Sequence, residues 1–186
     1  MIAERVRPLG LGWPNVLSIG RIVLIPVVVF LLGSEDPATR WAATVVFAVG
    51  AFSDLLDGYL ARRHAMTTPV GAWLDPLSDK LFVIVPAVVL SLNGEFPWWA
   101  TAVIVLREVA VSLLRWRLDQ RGVSMPASRM GKAKTFSQVS AVGLTIAPLP
   151  SDLDPFVSAV IVLAVVLTVL SGIEYLFTQR HRVETG

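Results

Sequence analysis

What this chain can fold into is limited first by the length of its apolar segments. Six of them, at about 15–33, 38–60, 75–93, 97–118, 133–149 and 155–178, are separated by short polar stretches. A helix of about 20 apolar residues crosses the roughly 30 Å hydrocarbon layer of a bilayer. Inside that layer the backbone has no water to bond, so a helix that satisfies its own N–H and C=O groups is favoured. The expected fold is an all-α integral membrane protein with six transmembrane helices, forming a single domain over residues 1–186. Composition agrees, with 54% hydrophobic and 16% charged residues and a mean hydropathy of +0.67. The first run, from Val16 to Leu32, has spanning length and no A-x-A type site after it, so it reads as a retained helix rather than a cleaved signal. Ahead of it, MIAERVRPLGLG mixes apolar and basic residues in the manner of a short N-terminal interfacial helix.

The loops divide by charge. GSEDPATR, NGEFP and LPSDLDP are short, acidic and rich in turn-forming residues. The opposite side carries Arg5, Arg7, Arg62, Arg63, the basic stretch RWRLDQRGVSMPASRMGKAK, Arg180 and Arg182, while Arg40 alone falls in the acidic set. This bias places both termini and the aspartate-rich loop in the cytoplasm, in a protein of the plasma membrane. Pro26 and Pro86 fall inside apolar runs and are candidate kinks. The six tryptophans, Trp98 and Trp99 among them, fit an interfacial belt. Cysteine is absent, which excludes disulfides, thiolate metal sites and Cys nucleophiles. The two histidines, His64 and His181, are too far apart for a zinc-protease motif. Any metal must be held mainly by oxygen, and no nucleic-acid partner is expected.

Within SDLLDGYLARRHAMTTPVGAWLDPLSDK, four aspartates border two apolar segments. Asp54 and Asp57 are three apart and Asp75 and Asp79 four apart, so each pair shares a helix face. If the two helices are neighbours, four like charges converge in a low-dielectric setting, and a divalent cation resolves the repulsion. Carboxylate oxygens suit Mg²⁺ or Mn²⁺, and two such ions can bridge a diphosphate. Dipole capping at a helix N-terminus is an alternative for Asp75 and Asp79, but not for Asp54 and Asp57 near a C-terminus. Gly58 and Gly71 are positions where a missing side chain would admit a substrate or a neighbouring helix, and for Gly71 the shaping of a loop is an equal alternative.

The spacing Asp54-x-x-Asp57-Gly58-x-x-Ala61-Arg62, eight residues, Gly71-x-x-x-Asp75-x-x-x-Asp79 resembles the motif of the CDP-alcohol phosphotransferase family at every position. The resemblance implies a six-helix, usually homodimeric membrane enzyme that moves a substituted phosphate from a CDP-linked donor to an alcohol and releases CMP. It implies metal ligation by Asp54, Asp57, Asp75 and Asp79, with Asp79 also the proton acceptor. It implies donor contacts at Gly58, Ala61, Arg62, Thr68 and Gly71. The opening PNVLSIGRIVLIP is similar to the start of one branch of that family, the bacterial phosphatidylglycerophosphate synthases, with Ser18 in place of the usual Thr. Asn15 and Ser18 thereby join the implied donor contacts. LREVAVSLLRWRL and GKAKTFSQ look like the same branch. The implied substrates are CDP-diacylglycerol and glycerol 3-phosphate.

A cationic clamp for the acceptor phosphate has its own physical case. Arg107 and Glu108 lie deep in the fourth apolar run, where a charge needs a partner or a wet cavity, and Arg115, Lys132 and Lys134 follow. Topology alone, or a structural pairing of Arg107 with Glu108, would also explain these residues. Inositol phosphate and phosphatidylglycerol are alternative acceptors. From other classes, a small cation transporter would spread its carboxylates along the membrane instead of gathering them at one rim, and an aspartate-rich prenyltransferase would not need the Gly58, Ala61, Arg62 and Gly71 framework.

Overall fold

The computed structural model describes residues 13–64, 69–120 and 128–184. Among them are six α-helices and no strand: α1 (Trp13–Leu32), α2 (Pro37–His64), α3 (Pro69–Leu92), α4 (Trp98–Asp119), α5 (Arg129–Ile146) and α6 (Asp154–Glu184), the last preceded by a 3-10 turn at Ser151–Leu153. The all-helical expectation holds. Residues 151–178 are long and apolar enough to cross a membrane by length and composition. Helix α1 runs on through Pro26, and α3 through Pro76 and Pro86.

Local signals explain the ends. Asp36 caps α2: its Oδ2 accepts from the Thr39 backbone N–H and from Thr39 Oγ1, both at 2.9 Å, and Pro37 occupies the first helical position, where no N–H is needed. The hydrogen bonds from Thr39 hold the Asp36 carboxyl below its ordinary range. At the far end of α3, Gly94 adopts φ +78°, and the N–H groups of Glu95 and Phe96 both donate to Leu90 O. That left-handed step costs little at glycine, so NGEFP closes the helix.

The chain divides into two compact units between Pro86 and Ala87. In the first, α1 packs on α2; in the second, α6 packs on both α5 and α4. The burial stripes have helical period: Ser18, Arg21, Ile25, Val28 and Leu32 on α1, and Ile161, Ala164, Thr168 and Ser171 on α6. Their outward faces are apolar, with Val23, Val27 and Phe30 exposed on α1 and Val162, Leu163, Val166 and Val169 on α6. Large apolar groups outside, with Ser18 and Arg21 on α1 and Thr168 and Ser171 on α6 among the buried residues, depart from the pattern of a water-soluble bundle and suit helices whose solvent is lipid. Buried hydroxyls and amides then link helices: Gln138 Nε2 donates to Thr168 Oγ1 at 2.8 Å, and Ser91 and Thr101 share a hydrogen bond of 2.7 Å. Each such bond is worth roughly 0.6–2 kcal/mol in a membrane.

Candidate active site

In the first unit, α2 and α3 meet at an aromatic contact. The Phe47 and Phe82 rings stack with centroids 5.0 Å apart and planes 6° from parallel. Gly50, one turn along α2, makes room for the Phe82 ring; a Cβ there would come within 2.7 Å of Phe82 Cε2. Gly50 lies four residues before Asp54, and Phe82 three residues after Asp79. The contact therefore sits about one turn from Asp54 on α2 and Asp79 on α3, and about two turns from Asp57 and Asp75.

Helix arithmetic gives the positions of the aspartates along their helices. Asp54 is seventeen residues beyond Pro37 on α2, and Asp75 seventeen residues before Leu92 on α3. At 1.5 Å per residue, each lies about 26 Å from the helix end that carries a short acidic or turn-forming loop. Both helices are continuous through their aspartates, so the spacings of three and four keep each pair on one face. Helix α3 begins at Pro69, making Asp75 its seventh residue and Asp79 its eleventh. Dipole stabilisation fades within the first turn, so capping accounts for neither of them.

Asp79 has a described side chain, 41% exposed, and its Oδ1 accepts from Arg21 Nη1 on α1. Arg21 itself is 4% exposed, on the same stripe as Ser18. This pair joins α1 to the aspartate face of α3; Arg21 fills the arginine of the opening PNVLSIGRIVLIP but was not among the candidate site residues. Its signal was an arginine inside the apolar run 15–33. Asp54, Asp57, Gly58, Ala61 and Arg62 fall on α2, Gly71 and Asp75 on α3, and Asn15 on α1; their side chains lie outside the described part of the structure. Thr68 lies outside the described residues. No cluster of three His, Cys, Asp or Glu occurs among the described side chains, of which Asp79 is the one from the quartet.

The second unit holds a buried charged cluster. Glu108 Oε1 accepts from Arg107 Nη1 at 3.1 Å and from Lys134 Nζ. Arg107 Nη2 also donates to Ser171 Oγ on α6 at 3.1 Å. Lys134 is 5% exposed, whereas Lys132, two residues earlier on α5, is exposed, as opposite helix faces require. Arg115 is exposed, with its guanidinium carbon 6.0 Å from the Tyr175 ring centroid, a weak cation–π contact. Ser128 opens α5 by accepting from the Gly131 N–H at 2.9 Å, and donates to Glu174 Oε2 at 2.8 Å, which fastens the start of α5 to α6. The sequence-predicted cations thus separate into a pair held in the cluster, Lys134 buried and Arg107 partly so, and an exposed pair, Arg115 and Lys132.

Comparison with known proteins shows the family of the chain. A family model described as CDP-alcohol phosphatidyltransferase matches residues 11–170, which include the whole motif and both charged clusters except Ser171 and the residues after it. The chain belongs to the CDP-alcohol phosphatidyltransferase family. It is 40% identical over 177 residues to a probable phosphatidylglycerophosphate synthase of Mycobacterium tuberculosis (strain CDC 1551 / Oshkosh), covering 94% of this chain and 83% of that one. It is 36% identical over 188 residues to a CDP-diacylglycerol–glycerol-3-phosphate 3-phosphatidyltransferase of Bacillus subtilis (strain 168), covering 93% and 97%. A Pseudomonas fluorescens protein of the same description is 40% identical over 144 residues, covering 74% and 73%. The family expected from the aspartate spacing and the family found over the whole chain are the same.

Proposed function

We propose that this chain transfers the phosphatidyl group of CDP-diacylglycerol to glycerol 3-phosphate, giving phosphatidylglycerophosphate and CMP. The observation that carries the reading is similarity along nearly the whole chain to proteins named for that reaction, 36–40% identical, with the aspartate motif complete on α2 and α3.

The donor set suits hard divalent cations: carboxylate oxygens on two continuous helices, no cysteine in the chain, and at Asp79 a half-exposed carboxylate. Asp54, Asp57, Asp75 and Asp79 would hold Mg²⁺ or Mn²⁺, two ions in all, which when bound offset the charge of the diphosphate and of departing CMP. Arg21 holds Oδ1 of Asp79, and Oδ2 takes the proton of the attacking hydroxyl. A new bond forms from that hydroxyl oxygen to the phosphatidyl phosphorus as the bond from phosphorus to the CMP oxygen breaks. Positioned proton acceptance of this kind contributes about 10²–10⁴ in rate. Asn15, Ser18, Gly58, Ala61, Arg62, Thr68 and Gly71 contact the donor, and Arg107, Lys134, Arg115 and Lys132 attract the acceptor phosphate. The chain acts as one domain with six spans, both termini and the aspartates facing the cytoplasm, in the plasma membrane and as a homodimer.

Purified protein in detergent, given CDP-diacylglycerol and Mg²⁺, is offered glycerol 3-phosphate, inositol phosphate and phosphatidylglycerol in turn. Phosphatidylglycerophosphate and CMP are expected with the first. Turnover with only one of the others reassigns the acceptor, and absence of CMP release with all three ends the transferase reading. Cation flux through the protein in vesicles would then favour a transporter.

A further inference from the structure

Glu108 lies within α4 at 6% exposure, in a segment where an ionisable side chain needs partners. One carboxylate oxygen ties Arg107 of α4 to Lys134 of α5. Arg107 is gripped a second time by Ser171 of α6. Its stem runs beside Gly172, where an added Cβ would stand 3.5 Å from Arg107 Cγ and 3.8 Å from Nε. Arg107 Nε is buried without a hydrogen-bond partner among the described residues. An orphaned donor on a buried cation is costly, and an anion would satisfy it.

We propose that Glu108 and Ser171 are positioning residues that fix Arg107 and Lys134 as a rigid pair of cations for the phosphate of the acceptor. This rests on the acceptor reading above and adds to it the means by which the two cations are aimed. Long cationic side chains lose much rotamer freedom when they grip a ligand; here the carboxylate and the α6 hydroxyl hold them in place before the ligand arrives. A small residue at 172 leaves the arginine stem its path, with room for a Cβ but not for a long side chain. Two roles for Glu108 predict opposite signs. A carboxylate that merely dilutes positive charge would repel phosphate, and its removal would tighten binding. A carboxylate that aims two cations loosens binding when it is removed.

The test uses the full-length protein in detergent. The KM for glycerol 3-phosphate, the KM for CDP-diacylglycerol and calorimetric binding of glycerol 3-phosphate are measured for Glu108→Gln, Ser171→Ala, Gly172→Ala and Gly172→Leu. Glu108→Gln and Gly172→Leu are expected to raise the acceptor KM and Kd by about tenfold or more, with the donor KM unchanged. Ser171→Ala is expected to give about threefold to tenfold, the loss of one hydrogen bond from the guanidinium to a hydroxyl. Gly172→Ala, whose Cβ meets only ordinary van der Waals contact, stays within about twofold. Should Glu108→Gln fail to fold, Ser171→Ala and Gly172→Leu carry the same readout. A folded Glu108→Gln with unchanged or tighter acceptor binding overturns the inference, as does normal acceptor binding in Gly172→Leu. Absence of phosphate-ester binding by the wild-type protein would overturn the acceptor reading and this inference together; normal wild-type binding with unaltered variants overturns this inference alone.

Discussion

The two charged regions of the molecule are built in opposite ways. In the first unit the carboxylate is the open member: Asp79 keeps 41% of its side chain exposed, while its partner Arg21 is 4% exposed. In the second unit the cluster is closed, with the side chains of Arg107, Glu108 and Lys134 at 14%, 7% and 7%. An open carboxylate can exchange ions and protons with its surroundings. A closed cluster has its geometry set by internal partners. The proposed function would divide the labour accordingly, with ions, donor and proton assigned to the first region and an anionic group to the preorganised charge of the second.

The largest effect should come from the aspartates themselves. Asp54→Asn, Asp57→Asn and Asp75→Asn are each expected to lower turnover by about 10³ or more, as is chelation of divalent ions, with Mg²⁺ or Mn²⁺ restoring the chelated enzyme. CMP release is the measurement, and elution as a folded particle in detergent is the control. Near-normal rates in any variant would take that residue out of the site.

Next comes the partner of Asp79. Arg21→Gln is expected to lower kcat by about tenfold to a hundredfold with both KM values little changed, since Arg21 acts through Asp79 and not on a substrate. In an Asp79→Asn background the same change should add almost nothing, which a double-mutant cycle reads. Additive losses would separate the two residues and break the comparison on its open side.

A smaller effect is expected at the helix contact beneath the aspartates. Gly50→Ala drives a methyl group into the Phe82 ring and should cost about 1–3 kcal/mol of stability, seen as a lower melting temperature in detergent. The smallest concerns Asp36. Because hydrogen bonds from Thr39 lower its folded pKa, its capping contribution is complete above the ordinary aspartate range and is lost as pH falls through the lowered folded value. Melting temperatures of wild type and Asp36→Ala should therefore differ slightly at neutral pH and converge in acid.

Much of this was legible in the sequence, for identifiable reasons. Fixed chemistry demands fixed spacing, so the aspartate motif from Asp54 to Asp79 could be read directly, as could the acidic turns whose Asp36 and Gly94 prove to be helix boundaries. Lys132 and Lys134 separate into exposed and buried as their spacing of two requires. Helix ends were harder. Hydropathy marks where lipid contact would begin, not where hydrogen bonding begins, so α3 starts at Pro69 instead of 75 and α6 continues to Glu184 instead of 178. That extension removes the capping explanation for Asp75. Pairings were not legible at all: Arg21 stands out as a charge in an apolar run, but nothing in one sequence points to a partner 58 positions away. The same holds for Phe82 over Gly50 and for Ser171 on Arg107.

The division between the two regions is tested most directly by full two-substrate kinetics on a pair of variants, Arg62→Ala from the donor motif and Arg107→Gln from the buried cluster. Loss of a desolvated charge contact costs on the order of 2–5 kcal/mol, so Arg107→Gln should raise the KM for glycerol 3-phosphate at least about thirtyfold while that for CDP-diacylglycerol stays near its wild-type value. Arg62→Ala should do the reverse. Normal acceptor kinetics in Arg107→Gln, or a rise in the same KM for both variants, would contradict the account.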